Sequence, residues 1–215
     1  MIEKKKIQIR KTARYFQLGK LGPAVREVWF ICHGYGQLAS YFLRHFEPIA
    51  AEDILLIGCE GQHRFYLQGA SGRVGASWMT KEERLDDIDN YIEYLDSIFL
   101  EVKGALSPEV KICAFGFSQG AATVCRWLAG GCTQIDRLIL WAGAFPPDID
   151  LGLQEEKFRK TRITLVVGDA DELVPASSRD LLQAQFTEAG LDFDRISFAG
   201  GHELHAETLR RLIRP

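Results

Sequence analysis

Nowhere in its 215 residues does the chain hold an apolar run approaching the roughly 20 residues of a membrane-spanning helix. The charged N-terminus MIEKKKIQIRK leads into no apolar stretch of the kind that marks a secretory signal, so a soluble cytoplasmic protein with no stable membrane insertion is expected. Cysteine is sparse. Cys32, Cys59, Cys113, Cys125 and Cys132 are odd in number and lack C-x-x-C spacing, which excludes the common zinc patterns and a disulfide framework. They read as buried free thiols of a reducing compartment. Positive charge is short as well: a net charge of -3 offers no footprint for nucleic acid or an anionic membrane. The one basic run, Lys4 to Lys6, fits the solvated edge of an N-terminal strand. No repeat, low-complexity tract or interdomain linker interrupts the chain.

What is present is enough apolar material, 47% of residues, for one sizeable core, and a single domain over residues 1–215 is expected. β-rich runs alternate with helical patterns. The strands read as 7–11, 25–32, 54–58, 110–116, 137–143, 162–168 and 194–200, and the helices as about 39–50, 80–103, 118–129, 177–189 and 203–213. That alternation predicts an α/β fold with a mostly parallel central sheet flanked by helices. Leu85, Ile88, Ile92, Leu95 and Phe99 form one apolar stripe of the 80–103 helix. The acids that crowd it, Glu82 to Asp96, read as its solvated face rather than a metal or glycosidase site. Residues 60–80, EGQHRFYLQGASGRVGASWMT, show no clear period, and loops of that length are often functional.

The chemistry begins at VKICAFGFSQGAATVCRWLAG, residues 110–130. A buried strand runs into Gly116-Phe117-Ser118-Gln119-Gly120 and then a helix, the strand-turn-helix setting of a G-x-S-x-G nucleophile elbow. Taken without that setting, the five residues could equally be a tight turn with a capping serine. A serine nucleophile needs a base, an acid that orients the base, and donors for an oxyanion. Later strand ends supply the first two in the order Ser, acid, His. RITLVVG runs into the acidic loop Asp169-Ala170-Asp171-Glu172, and DRISFAG runs into Gly201-His202. The oxyanion donors in such an architecture are the backbone NH after the nucleophile, that of Gln119, and one from the early loop His33-Gly34-Tyr35-Gly36, that of Tyr35. His33 itself, placed ahead of that loop, suits a structural hydrogen bond.

FAGGHELHAE carries two histidines, His202 and His205. A metal reading of the pair finds no partner ligands at matching spacing, so no metal and no cofactor is expected. His202, directly after the strand end and a glycine pair, is placed to serve Ser118. His205 falls in the first turn of the following helix and reads as a rim or packing residue.

From Trp29 to Leu209, through HGYG, GFSQGAA, GDADELVP and GGHEL in order, the chain resembles the α/β-hydrolases of the phospholipase/carboxylesterase family, which includes the acyl-protein thioesterases. The resemblance implies an α/β-hydrolase fold with a minimal lid or none, and a cofactor-free serine esterase or thioesterase. Matching GDADELVP to the family's motif makes Asp171 the triad acid and leaves Asp169 to support the turn, with Ser118 as nucleophile and His202 as base. The chain departs from the family pattern at ILLIGCEGQHRFYLQ, where relatives commonly have a proline-rich stretch.

Aromatic or apolar residues in loops near strand C-termini, Phe65, Tyr66, Leu67, Trp78, Phe117 and Phe145, are the candidates for contact with the substrate, a small or lipid-like acyl ester. Each could equally be core. The expected activity is hydrolysis of carboxylic esters. Acyl-thioesterase or lysophospholipase activity would use the same residues, and a non-catalytic binding protein on the same fold is the remaining alternative.

Overall fold

The computed structural model describes residues 1–213. Its elements, in chain order, are β1 (Tyr15–Leu18), β2 (Glu27–Cys32), α1 (Ala39–Phe42), β3 (Ile54–Cys59), β4 (His63–Tyr66), β5 (Val74–Ser77), α2 (Arg84–Lys103), β6 (Lys111–Phe117), α3 (Gln119–Gly130), β7 (Arg137–Trp141), α4 (Leu151–Arg159), β8 (Arg162–Gly168), α5 (Ala176–Glu188), β9 (Phe193–Phe198) and α6 (Ala206–Ile213). Seven strands form one sheet in the order β1-β3-β2-β6-β7-β8-β9, parallel except for β1, which runs antiparallel to β3. This is the mostly parallel, helix-flanked sheet of an α/β-hydrolase.

The central strands are apolar almost throughout because helices cover both faces. Side chains alternate between the two. Val28, Phe30 and Cys32 of β2 face a core built with Leu95, Phe99 and Trp127 of α2 and α3. Trp29 and Ile31 face the other side, with Phe46, Phe115, Trp141 and Leu209. At roughly 1.5–3 kcal/mol for each fully buried large side chain, these two layers fix the sheet between its helices.

The order of the strands fixes where a ligand can sit. From β2 the chain steps outward to β3, then crosses back to lay β6 on the opposite side of β2. The loops leaving the C-terminal ends of β2 and β6 therefore diverge and open a crevice, the usual ligand position in such sheets. Those loops are 33–37 and the turn at Ser118.

Several expectations change. Residues 7–11 form no strand: Ile7 and Ile9 are exposed, and the edge of the sheet is taken by β1 instead. Lys4 and Lys6 meet the N-terminus of α2, Lys4 at Glu83 and Lys6 at Asp86, 2.9 Å away. The helix expected at 39–50 is one α turn followed by a 3-10 segment, Leu43–Ile49, whose Pro48 has no NH to continue an α-helix. The last helix starts at Ala206 rather than near 203. An unforeseen helix, α4, is capped by the Asp150 carboxylate, which accepts from Gly152 N at 2.9 Å. It buries only Phe158, so its sequence carries almost no apolar period. The aperiodic stretch 60–80 contains the β4–β5 hairpin. Cys132 is exposed; the other four thiols are buried.

Candidate active site

Ser118 sits between the last residue of β6 and the first of α3, with φ 54° and ψ -116°. A side-chain-bearing residue rarely adopts such a backbone, and it persists here because its surroundings over-determine it. Ser118 N donates to Trp141 O at 2.8 Å, and Ala121 N donates to Ser118 O at 3.0 Å. The flanking glycines are a matter of close approach: a Cβ on Gly116 would fall on the carbonyl oxygen of Gly120, and one on Gly120 on that of Cys32. Any other residue would push α3 away from β6 and β2.

The loop after β9 brings His202 over this turn. Its Nε2 lies 2.9 Å from Ser118 Oγ, while its Nδ1 lies 2.9 and 3.1 Å from the two carboxylate oxygens of Asp171. Donation from Nδ1–H to that carboxylate leaves the Nε2 lone pair for the serine hydroxyl. The Asp171 side chain is fully enclosed, and its Oδ1 also accepts from Leu173 N at 2.9 Å and Val174 N at 3.1 Å. Asp169 is exposed, and its backbone NH bonds Phe198 O at 2.9 Å, tying β8 to β9.

His205 takes no part in this cluster. Its ring stacks on Phe198 at 5.1 Å, and Nδ1 accepts from the Thr208 hydroxyl at 2.9 Å, at the start of α6. His33 is fully buried. Its Nε2 accepts from Gly61 N at 3.0 Å, which places the ring proton on Nδ1, 2.7 Å from Gly34 O. Burial holds the His33 pKa below its usual value, so the ring is neutral. The Gly34 carbonyl turned toward His33 directs the NH of the same peptide, that of Tyr35, the opposite way.

Of the proposed substrate contacts, the structure gathers some at the mouth of the crevice and not others. Tyr35 is exposed and its ring lies 5.2 Å from that of Phe65. Leu67, also exposed, reaches toward Gly36. Tyr66, between Phe65 and Leu67 on β4, points to the other face of the hairpin. Phe117 is buried beneath the site, 5.0 Å from the His202 ring and 5.7 Å from that of Phe42. Two residues are elsewhere. Trp78 is enclosed, its Nε1 donating to His33 O at 2.9 Å. Phe145 packs in the core against Phe158 and Phe186. Both aromatics fill interior volume, which their sequence positions could not distinguish from a pocket wall. Among the described residues no group of three or more His, Cys, Asp or Glu side chains could hold a metal ion, and no helix is long and apolar enough to cross a membrane.

A half-buried elbow serine, an imidazole within hydrogen-bond reach of it, and an enclosed carboxylate behind the imidazole can together deprotonate the hydroxyl as it attacks. The phospholipase/carboxylesterase family model matches residues 22–214. The chain belongs to that family. Membership places it among hydrolases of the phospholipase and carboxylesterase type. Acyl-protein thioesterase 2 of Zea mays superimposes with a TM-score of 0.74 at 16% identity, over 94% of this chain and 97% of that one. A carboxylesterase of Bacillus cereus gives 0.69 at 15% identity, over 94% and 92%. One from Mesorhizobium loti gives 0.67 at 18% identity, over 88% and 90%. At such identities these are likenesses of fold. No curated protein sequence matches the chain.

Two functional candidates escaped the sequence reading. The Gln119 side chain, as distinct from its backbone, bonds Trp78 and Met79, and Gln37 Oε1 accepts from Gly34 N at 2.8 Å. The available signal was a glutamine directly after HGYG and another directly after the serine of GFSQG.

Proposed function

We propose that this protein hydrolyses carboxylic esters through a covalent acyl-enzyme, with Ser118 as nucleophile, His202 as general base and acid, and Asp171 as the group that orients His202. The observation that carries this reading is the His202 ring, with one nitrogen 2.9 Å from Ser118 Oγ and the other 2.9 Å from Asp171 Oδ2. Family membership supports it independently.

In the first half-reaction Ser118 Oγ attacks the acyl carbonyl carbon as its proton passes to His202 Nε2. The carbonyl oxygen becomes an oxyanion facing the NH groups of Gln119 and Tyr35. The alcohol leaves with the proton from His202, giving acyl-Ser118. Water then attacks the acyl carbon, giving its proton to His202, which returns it to Ser118 Oγ as the acyl–Oγ bond breaks, releasing the carboxylic acid and the free serine. Asp171 stays ionised throughout, holding the tautomer and stabilising the charged imidazolium. Tyr35, Phe65 and Leu67 form an apolar rim suited to an acyl chain. Free thiols throughout, including Cys32 and Cys59 left unlinked at paired positions of neighbouring strands, favour a reducing, cytoplasmic setting.

A panel of p-nitrophenyl esters and matched thioesters of increasing chain length, run on wild type and Ser118→Ala, tests the reading. Turnover of oxygen esters that disappears in S118A is expected. Thioesters turned over in preference to matched esters would move the activity to an acyl-thioesterase, and no turnover of either class would remove the enzyme reading.

A further inference from the structure

We infer that the side chain of Gln119 is a positioning residue for the oxyanion site, acting through strand β5, to which both oxyanion donors are tied. The inference rests on the serine-hydrolase reading above. On one side, the loop carrying Tyr35 is stitched to Ala76: Gly36 N donates to Ala76 O at 2.8 Å, and Ala76 N donates to Gln37 O at 3.0 Å. On the other, Gln119 reaches the same chain two residues on. Its Oε1 accepts from Trp78 N at 3.1 Å, and its Nε2 donates to Met79 O at 3.0 Å and to Ser77 Oγ at 3.2 Å.

The loop carrying Tyr35 and the side chain of Gln119 thus both hold consecutive residues of one segment, Ala76 to Met79. Their separation is set by Ala76 to Met79, as if by a spacer. Within the Tyr35 loop, Gln37 Oε1 accepts from Gly34 N and closes the turn. The hairpin also presses on this loop from outside, since a Cβ on Gly75 would fall on the Gly36 carbonyl.

The Gln119 NH sits at the start of α3 and keeps its place without the side chain. What the side chain adds is the hold on Trp78 and Met79, and through them on the opposite donor. Stabilisation of an oxyanion depends on donors fixed before the charge develops, and a displacement of about 1 Å can cost on the order of 10²-fold in rate. The substrate ester, whose carbonyl carries little charge, gains less from the same donors. Loss of the side chain therefore lowers kcat and spares KM.

The test is Gln119→Met, similar in length but without the amide, with sites counted by fluorophosphonate labelling so that rates refer to folded, labelled enzyme. With a p-nitrophenyl butyrate substrate, kcat per site is expected to fall about 10- to 100-fold. KM should stay within about 2-fold, and the acid limb of the pH–rate profile should not move, because the base is untouched. Affinity for butylboronic acid, whose serine adduct puts an oxygen where the oxyanion forms, should fall by the same factor as kcat/KM. A purely structural role would lower the melting temperature and leave kcat per site and boronate affinity at wild-type values, and that result overturns the inference. If Q119M gives no folded protein, Gln119→Ala, which removes the same bonds to Trp78, Met79 and Ser77, carries the same test with the same expected and contrary results. Wild type that is not labelled at Ser118 removes the serine-hydrolase reading and this inference with it. Labelled, active wild type matched by the variant removes the inference alone.

Discussion

Asp171 Oδ2 lies 2.9 Å from His202 Nδ1, whereas Asp169, two residues earlier in the same loop, is exposed and meets Phe198 through its backbone. The two carboxylates are therefore not interchangeable. Asp171→Asn is expected to lower kcat about 10³- to 10⁴-fold, because an amide in that place can favour the wrong imidazole tautomer. Asp169→Asn should stay within about 3-fold of wild type, since its backbone bond survives the change. Steady-state rates on one ester rank the two, and the reverse ranking would transfer the acid role to Asp169.

A comparable asymmetry holds for the two histidines of FAGGHELHAE. His202→Ala removes the only ring within reach of Ser118 Oγ among the described hydrogen bonds, and a loss of at least about 10³-fold in kcat is expected. His205→Ala removes the bond to Thr208 at the start of α6 and should cost stability, about 1 kcal/mol, with kcat nearly unchanged. Equal losses of activity in the two variants would contradict the geometry.

His33 makes acid stability a readout of the loop beneath the oxyanion site. Its folded pKa is depressed by burial, while an unfolded histidine titrates near about 6.5. Its contribution is thus complete above that value and is lost as pH falls toward the lowered folded pKa, because the unfolded chain takes up the proton first. Melting temperatures between pH 7.5 and 5 should fall less steeply in His33→Gln than in wild type. Parallel curves would show that His33 does not govern this window.

Arg126 is buried and its Nε and Nη2 donate to Asp148 at 2.8 and 2.7 Å. Those bonds hold the Asp148 carboxyl at about 2, so the pair stabilises the fold fully above about pH 4 and loses that contribution on acidification toward pH 2. Asp148→Ala leaves a buried guanidinium with less compensation and should cost about 3 kcal/mol at pH 7, measured by urea unfolding. A cost below about 1 kcal/mol would place this bridge with ordinary surface pairs.

How much of this was legible follows from what each residue must do alone. β6 into Ser118 could be read because a continuous apolar run, two glycines and a helical pattern are local properties. The Ser, Asp, His order could be read because each follows a strand end. The strand expected at 7–11 shows the limit: its alternation is correct for a strand, but pairing is a property of the neighbour, and the sheet edge belongs to Tyr15–Leu18. Trp78 and Phe145 show another, since an aromatic in a loop looks the same whether it lines a pocket or fills the interior. The hairpin within 60–80 was hidden because β4 is short and largely exposed. The polar ties of Gln37 and Gln119 were hidden because their partners lie about 3 and about 40 positions away along the chain.

The most direct test of the central claim is the mass of the intact protein after exposure to a fluorophosphonate. Wild type should gain one adduct, mapped to Ser118, and Ser118→Ala should gain none while keeping its melting temperature. An adduct that persists in S118A, or folded wild type that gains none, would contradict the assignment of Ser118 as the nucleophile.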